Sequence, residues 1–139
     1  MTVSGAILRK IDQEKMDKLV CMAHRTVQKT EISSPESGLE KSQLANLKNL
    51  ADSTDSVEAL KLFIQYQMGR EGGNRGWKHN NFGGKVLDDI EELKKMAHDI
   101  STEASKAVTL HLVRLYTGFL VRWFVALRGQ ATSGSAETE

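Results

Sequence analysis

The sequence is short of the residues that cross-link, kink or coordinate. A single cysteine, Cys21, stands among 139 residues. That excludes an internal disulfide and any zinc site built on two thiolates. Pro35 is the only proline, and aromatic residues make up 6% of the chain. β-Branched residues nowhere alternate with polar ones over a strand length, so the usual strand signal is missing. The opening residues, MTVSGAILRKIDQEK, hold no apolar run of the length a secretory leader needs. With the lone cysteine, this gives the expectation of a reducing, cytoplasmic setting. Basic residues (19) and acidic residues (18) nearly cancel, so the net charge of +1 selects no partner by itself.

Chemistry-bearing motifs are missing too. There is no GxxxxGK[ST], no HExxH and no CxxC pair. His24, His79, His98 and His111 show no metal-ligand spacing, so neither a metal nor a cofactor is expected. Cys21 has only His24 nearby as a base and reads as a small, half-buried hydrophobe. No nucleophile–base pair stands out, and an enzyme is not expected.

What is present is helical. A hydrophobic fraction of 40% in one domain-sized chain suffices for a core shared among helices. The expected fold is all-α: a compact bundle of about five helices with a long C-terminal core helix. Residues 1–129 form the single domain and 130–139, QATSGSAETE, a disordered tail. Residues 104–128, ASKAVTLHLVRLYTGFLVRWFVALR, are apolar around most of a helical circumference. Val108, Leu112, Leu115, Phe119 and Trp123 share a broad face, widened by Tyr116, Leu120, Phe124 and Leu127. The remaining strip carries His111, Arg114, Gly118 and Arg122. A helix of this kind is buried on most sides, and its one basic strip can meet an anion. Gly118 lets a backbone or a ligand approach closely. The charges interrupt any run of the ~18 apolar residues that a membrane span needs, so no membrane is expected.

Upstream, residues 6–30 are expected as one amphipathic helix with Met16, Leu19, Val20, Ala23 and Val27 inward. Residues 30–38 are a loop around Pro35. Ser37 and Glu40 have the form of a capping box, starting a second helix near Gly38. Asp55 is placed to cap a third helix, with Val57, Leu60, Ile64 and Met68 inward, and Gly69 to end it. A fourth helix covers residues 84–99, its outer face holding Asp88, Asp89, Glu91, Glu92, Lys94 and Lys95 as solvated ion pairs. Ser101 or Thr102 restarts the chain into the last helix, and Gly129 ends it.

Residues 69–84 read GREGGNRGWKHNNFGG, too glycine-rich for a regular element. Arg70, Arg75, Trp77, Lys78, His79 and Phe82 lie among the glycines. Cations interleaved with aromatics suit single-stranded nucleic acid, where cations meet phosphates and rings stack on bases. The other reading is a linker whose Trp77 and Phe82 tuck into the core; the residues alone leave both open.

Three stretches carry a resemblance: Lys41-Ser42-Gln43-Leu44, Phe63-Ile64-Gln65-Tyr66-Gln67-Met68-Gly69-Arg70, and Leu112-Val113-Arg114-Leu115-Tyr116-Thr117-Gly118-Phe119-Leu120. Together, over residues 37–128, the chain resembles the small helical subunit of type III CRISPR effector complexes, the Csm small-subunit group. That group often has a basic residue after Ser-Gln-Leu; here it is Ala45, with Lys48 one turn on. The resemblance implies a non-catalytic subunit in the belly of a guide-RNA ribonucleoprotein. Its implied partners are guide RNA, target RNA, other effector subunits and further copies of itself. It implies RNA-facing roles for Lys41, Lys48, Arg70, Arg114 and Arg122; Arg75, Trp77 and Lys78 join them from the loop chemistry. A helical protein–protein adaptor without nucleic-acid contact, docking through Trp77, Phe82 and the last helix, is the alternative.

Overall fold

A computed structural model describes the backbone of residues 3–137 and side chains as far as residue 130. Six α-helices and two short 3₁₀ segments account for it, and no strand occurs among the described residues. The fold class is therefore all-α, a helical bundle with a long last helix.

The first expected helix is two. Helix α1 (Gly5–Glu14) starts at Ser4, whose hydroxyl accepts the Ile7 N–H at 3.2 Å. It kinks at Lys15 into α2 (Met16–Thr30). Ile11 and Leu19 are both fully buried. Eight residues on a straight helix would place them about 80° apart, and the kink brings both to the core. Backbone bonds from Lys15 to Ile11 and from Leu19 to Lys15 keep the joint closed.

The loop after α2 is organised by Ser37, which is buried rather than a helix cap. Its hydroxyl donates to the Ile32 carbonyl at 2.7 Å and accepts from the Leu39 N–H at 3.2 Å. Helix α3 (Lys41–Ser53) starts three residues later than Ser37 suggested, with the Glu40 N–H held by Gln43 Oε1 at 2.8 Å. Helix α4 (Val57–Arg70) is capped by Ser56, not Asp55; the Ser56 hydroxyl accepts the Ala59 N–H at 3.0 Å. Gly69 lies inside α4 and does not end it.

The glycine-rich stretch is the larger correction. Residues Gly76–Asn81 form a 3₁₀ segment leading directly into α5 (Phe82–Ile100). Asn80 and Asn81 take left-handed conformations, with φ of 48° and 60°, which asparagine tolerates better than most residues. The Asn80 amide donates to the Thr30 carbonyl at 2.9 Å, tying this segment to the end of α2. Trp77 and Phe82 are fully buried. Their rings lie 5.4 Å apart, and Phe63 meets Trp77 edge-on at 6.1 Å. Burying both aromatics removes a large apolar area from water. That outweighs the flexibility of the glycines and one unpaired indole N–H on Trp77.

Helix α6 (Ser105–Glu137) is the hub, packed against α2, α3 and α5. Ser101 Oγ accepts the Ala104 N–H just before it, at 3.1 Å. Gly129 lies within this helix instead of stopping it. The expected tail, 130–139, continues it in backbone as far as Glu137; its side chains beyond 130 and its last two residues lie outside the described residues. The stretch Ser105–Gln130 is long and apolar enough to cross a membrane by length and composition, with a mean hydropathy of 1.3. In the fold, its inward face is covered by the neighbouring helices: Val108, Leu112, Val113, Tyr116, Leu120 and Phe124 are buried against them.

One buried polar cluster was not legible as such. Asp89, expected on the solvated face of α5, turns toward the core. The hydroxyls of Thr26 (2.5 Å) and Tyr116 both donate to its Oδ2, joining α2, α5 and α6. Burial raises the Asp89 pKa above the usual carboxylate range, against the pull of the two hydroxyls and Arg25. A carboxyl raised on folding takes up a proton that the unfolded chain lacks. Its contribution is fully present below the ordinary value of 3.8 and fades as pH rises through the folded pKa. Thermal melts from pH 4 upward should show wild-type stability falling relative to Asp89→Asn, which keeps an acceptor oxygen without the charge. Parallel pH profiles for the two proteins would remove Asp89 from this role.

Candidate nucleic-acid interface

The basic strip of α6 meets α3 in a defined register. Arg114 Nε donates to the Ala51 carbonyl at 2.8 Å and Nη2 to the Thr54 carbonyl at 2.9 Å. One turn further along α6, Gly118 faces Lys48, one turn back along α3; a Cβ at Gly118 would lie 3.4 Å from Lys48 Cε. The two helices therefore run antiparallel. Lys48 Nζ donates to the Arg114 carbonyl at 2.9 Å, so the close approach that Gly118 allows is that of a lysine stem from the same chain.

The result is a seam. Lys48, His111, Arg114, Leu115, Gly118 and Arg122 line one shallow cavity of about 270 Å³, and no carboxylate lines it among the described residues. Arg122 is exposed, its guanidinium 5.7 Å from the Phe119 ring centre, and it has no acidic partner among the described residues. Asp52 reaches Lys48 at 2.6 Å and Asp55 reaches Arg114 at 3.6 Å, both from the rim. The Asp55 side chain is 100% exposed, and pairs of that kind are held weakly against water. Burial pushes His111 below the usual imidazole range, with Asp12 opposing and Arg114 assisting. The seam thus carries lysine and arginine charge beside an imidazole whose charged form burial disfavours.

Lys41 belongs to the same line. Lys41, Ala45, Lys48 and Asp52 fall on one stripe of α3 at i, i+4, i+7 and i+11. Lys41 is exposed at the first position of α3, toward the Arg122 end of the seam.

The remaining candidates gather at the end of the bundle. The Arg75 guanidinium lies against Gly38, 3.3 Å from where a Cβ would stand, and Gly38 has φ of +80°. Any side chain there would be strained and would displace Arg75. Arg70 sits 5.8 Å from the Tyr66 ring centre, and Lys78 Nζ donates to the Glu71 carbonyl at 3.2 Å. Both cations are exposed. Trp77 is removed from the candidates: with 0% exposure it offers no ring to a base. The exposed aromatic at this end is Tyr66, 62% accessible, which sequence reasoning placed on a helix without singling it out.

No family model matches the chain. Nor does any curated protein or solved structure. The geometry of the seam is therefore the ground on which function is argued.

Arg114 and Arg122, equivalent on the sequence strip, now separate. Arg114→Ala leaves two helix-end carbonyls of α3 without their donor and should cost about 2 kcal/mol in urea unfolding. Arg122→Ala should lie within about 0.5 kcal/mol of wild type. Gly118→Ala places a methyl at ordinary contact distance from Lys48. It should stabilise the helix by about 0.5–1 kcal/mol. Equal losses for the two arginine variants would dissolve the distinction drawn between them.

Proposed function

We propose that this protein is a non-catalytic, helical RNA-binding subunit whose α3–α6 seam lies along a phosphodiester backbone. The observation that carries this reading is the convergence of Lys48, Arg114 and Arg122 on one open cavity that no carboxylate lines. Lys41 extends the line by about 10 Å, two turns of α3. Cations on rigid helices suit phosphates, which recur along any strand and carry no sequence information. Arginine adds planar, paired donors that match phosphate oxygens. The near-zero net charge makes binding by one copy weak, so an assembly supplies the rest through avidity.

The resemblance of residues 37–128 to the small subunits of type III CRISPR effector complexes gives this reading a setting. In it, the chain supports guide and target RNA beside other effector subunits and further copies of itself, in the cytoplasm, for RNA-targeting defence. Arg70, Arg75 and Lys78 at the bundle end provide a second contact to the same strand.

The adaptor reading moves to different residues. Trp77 and Phe82 are buried, whereas Leu62 and Tyr66 are exposed on α4 at 65% and 62%. A protein partner would use that face. RNA crosslinking in the assembled particle separates the two: adducts along α3 and α6 favour RNA, and protection of Leu62 and Tyr66 alone favours the adaptor.

The charge contribution is measurable. Lys41→Ala with Arg122→Ala removes two cations that hold no part of the fold. The double variant should keep its thermal stability and weaken single-stranded RNA binding to a similar degree across sequences. The slope of log K against log salt should fall by about 1.4, or ~0.7 per cation. An unchanged slope would make the seam ordinary surface.

A further inference from the structure

A larger cavity than the seam, about 530 Å³, opens between the start of α4, the second half of α5 and the first turn of α6. Lys94 and His98 line it from α5, and Lys106 from α6. Ser56 and Ser105 add hydroxyls, and Val57 an apolar patch. Two carboxylates also line it, and each has a cation outside. Asp55 lies 3.6 Å from Arg114 and Glu58 lies 3.6 Å from Lys61. Within the cavity, His98 and Lys106 have no acidic partner among the described residues, and Lys94 keeps only a 3.7 Å contact to Glu91. Both acids face water, their side chains 100% and 74% exposed, while three basic side chains line the cavity.

We propose that this cavity is a binding site for a phosphomonoester of nucleotide size. Lys94 and Lys106 hold the phosphate dianion as point charges, and His98 donates a ring N–H to it. Val57 and the lysine stems back the sugar or base. A volume of this order takes a small organic ligand rather than a bare ion. The phosphomonoester comes from one of two sources: a free nucleoside monophosphate, or the terminal phosphate of an RNA strand. Asp55 lines this cavity and also a smaller one shared with His111 and Arg114, so the site adjoins the end of the seam. The inference goes beyond the backbone-binding reading and stands without it.

The test titrates the full chain with two matched pairs: AMP against adenosine, and a 5′-phosphorylated oligoribonucleotide against its 5′-hydroxyl counterpart. In at least one pair the phosphorylated member should bind about tenfold tighter, roughly 1.4 kcal/mol. That preference should vanish in His98→Ala with Lys106→Ala, two exposed positions whose loss circular dichroism should show to leave the fold intact. It should survive in Lys41→Ala with Arg122→Ala. A preference confined to AMP identifies the free nucleotide as source, and one confined to the oligonucleotide identifies the strand end. Equal binding within both pairs overturns the site, as does a preference that persists without His98 and Lys106. Weak binding of the 5′-hydroxyl strand with the same salt slope in wild type and in Lys41→Ala with Arg122→Ala, the AMP preference being intact, removes the seam reading and leaves this one standing.

Discussion

The helix at the centre places one demand on everything around it: polar groups carried into its burial must be answered by other elements. An unmet donor in that setting costs more than a formed bond returns. Helix α6 meets the demand at four points. Arg114 donates to the carbonyls at the end of α3, and Trp123 Nε1 to the Val20 carbonyl of α2. Arg128 donates to the Ser33 and Ser34 carbonyls in the loop after α2. Tyr116 donates to Asp89 of α5. Each bond attaches a different part of the bundle to the rod, and each sets the rotation and register of its neighbour more sharply than apolar contact does.

The seam follows from that arrangement. Arg114 holds α3 in place, Lys48 then crosses the notch at Gly118, and the two helices present their cations on one side. A side chain can both cap a helix and charge a surface, because the guanidinium has five donors and α3 uses two of them. The fold-holding and proposed binding roles of the strip therefore overlap in Arg114 and part company at Arg122, whose exposed guanidinium lies beside the Phe119 ring.

Much of the fold was legible beforehand. The 3.6-residue periodicity located the helices, and the nearly all-round apolar character of residues 104–128 singled out the hub. Boundaries were less so, for local reasons. Ser37 and Asp55 each had a capping neighbour one or three residues away that served better, and a string of Ser, Asp and Glu offers several caps of similar energy. The kink at Lys15 depends on where Ile11 must go, which only packing defines. Asp89 looked like its charged neighbours on α5, and the clue lay on another helix: Tyr116, an apolar-face residue whose hydroxyl needs an acceptor.

Composition and periodicity by themselves determined that this chain is helical, that residues 104–128 form its central helix, and that a thin basic strip runs along them. These are properties of single helices, set by the spacing of apolar side chains. Tertiary structure decided which of those cations hold the fold and which face outward. It also turned the glycine-rich stretch inward on Trp77 and Phe82, and drew Lys48 from α3 into the seam. Those outcomes depend on contacts between segments far apart in sequence, where burial of a ring or satisfaction of a carbonyl outweighs local preference.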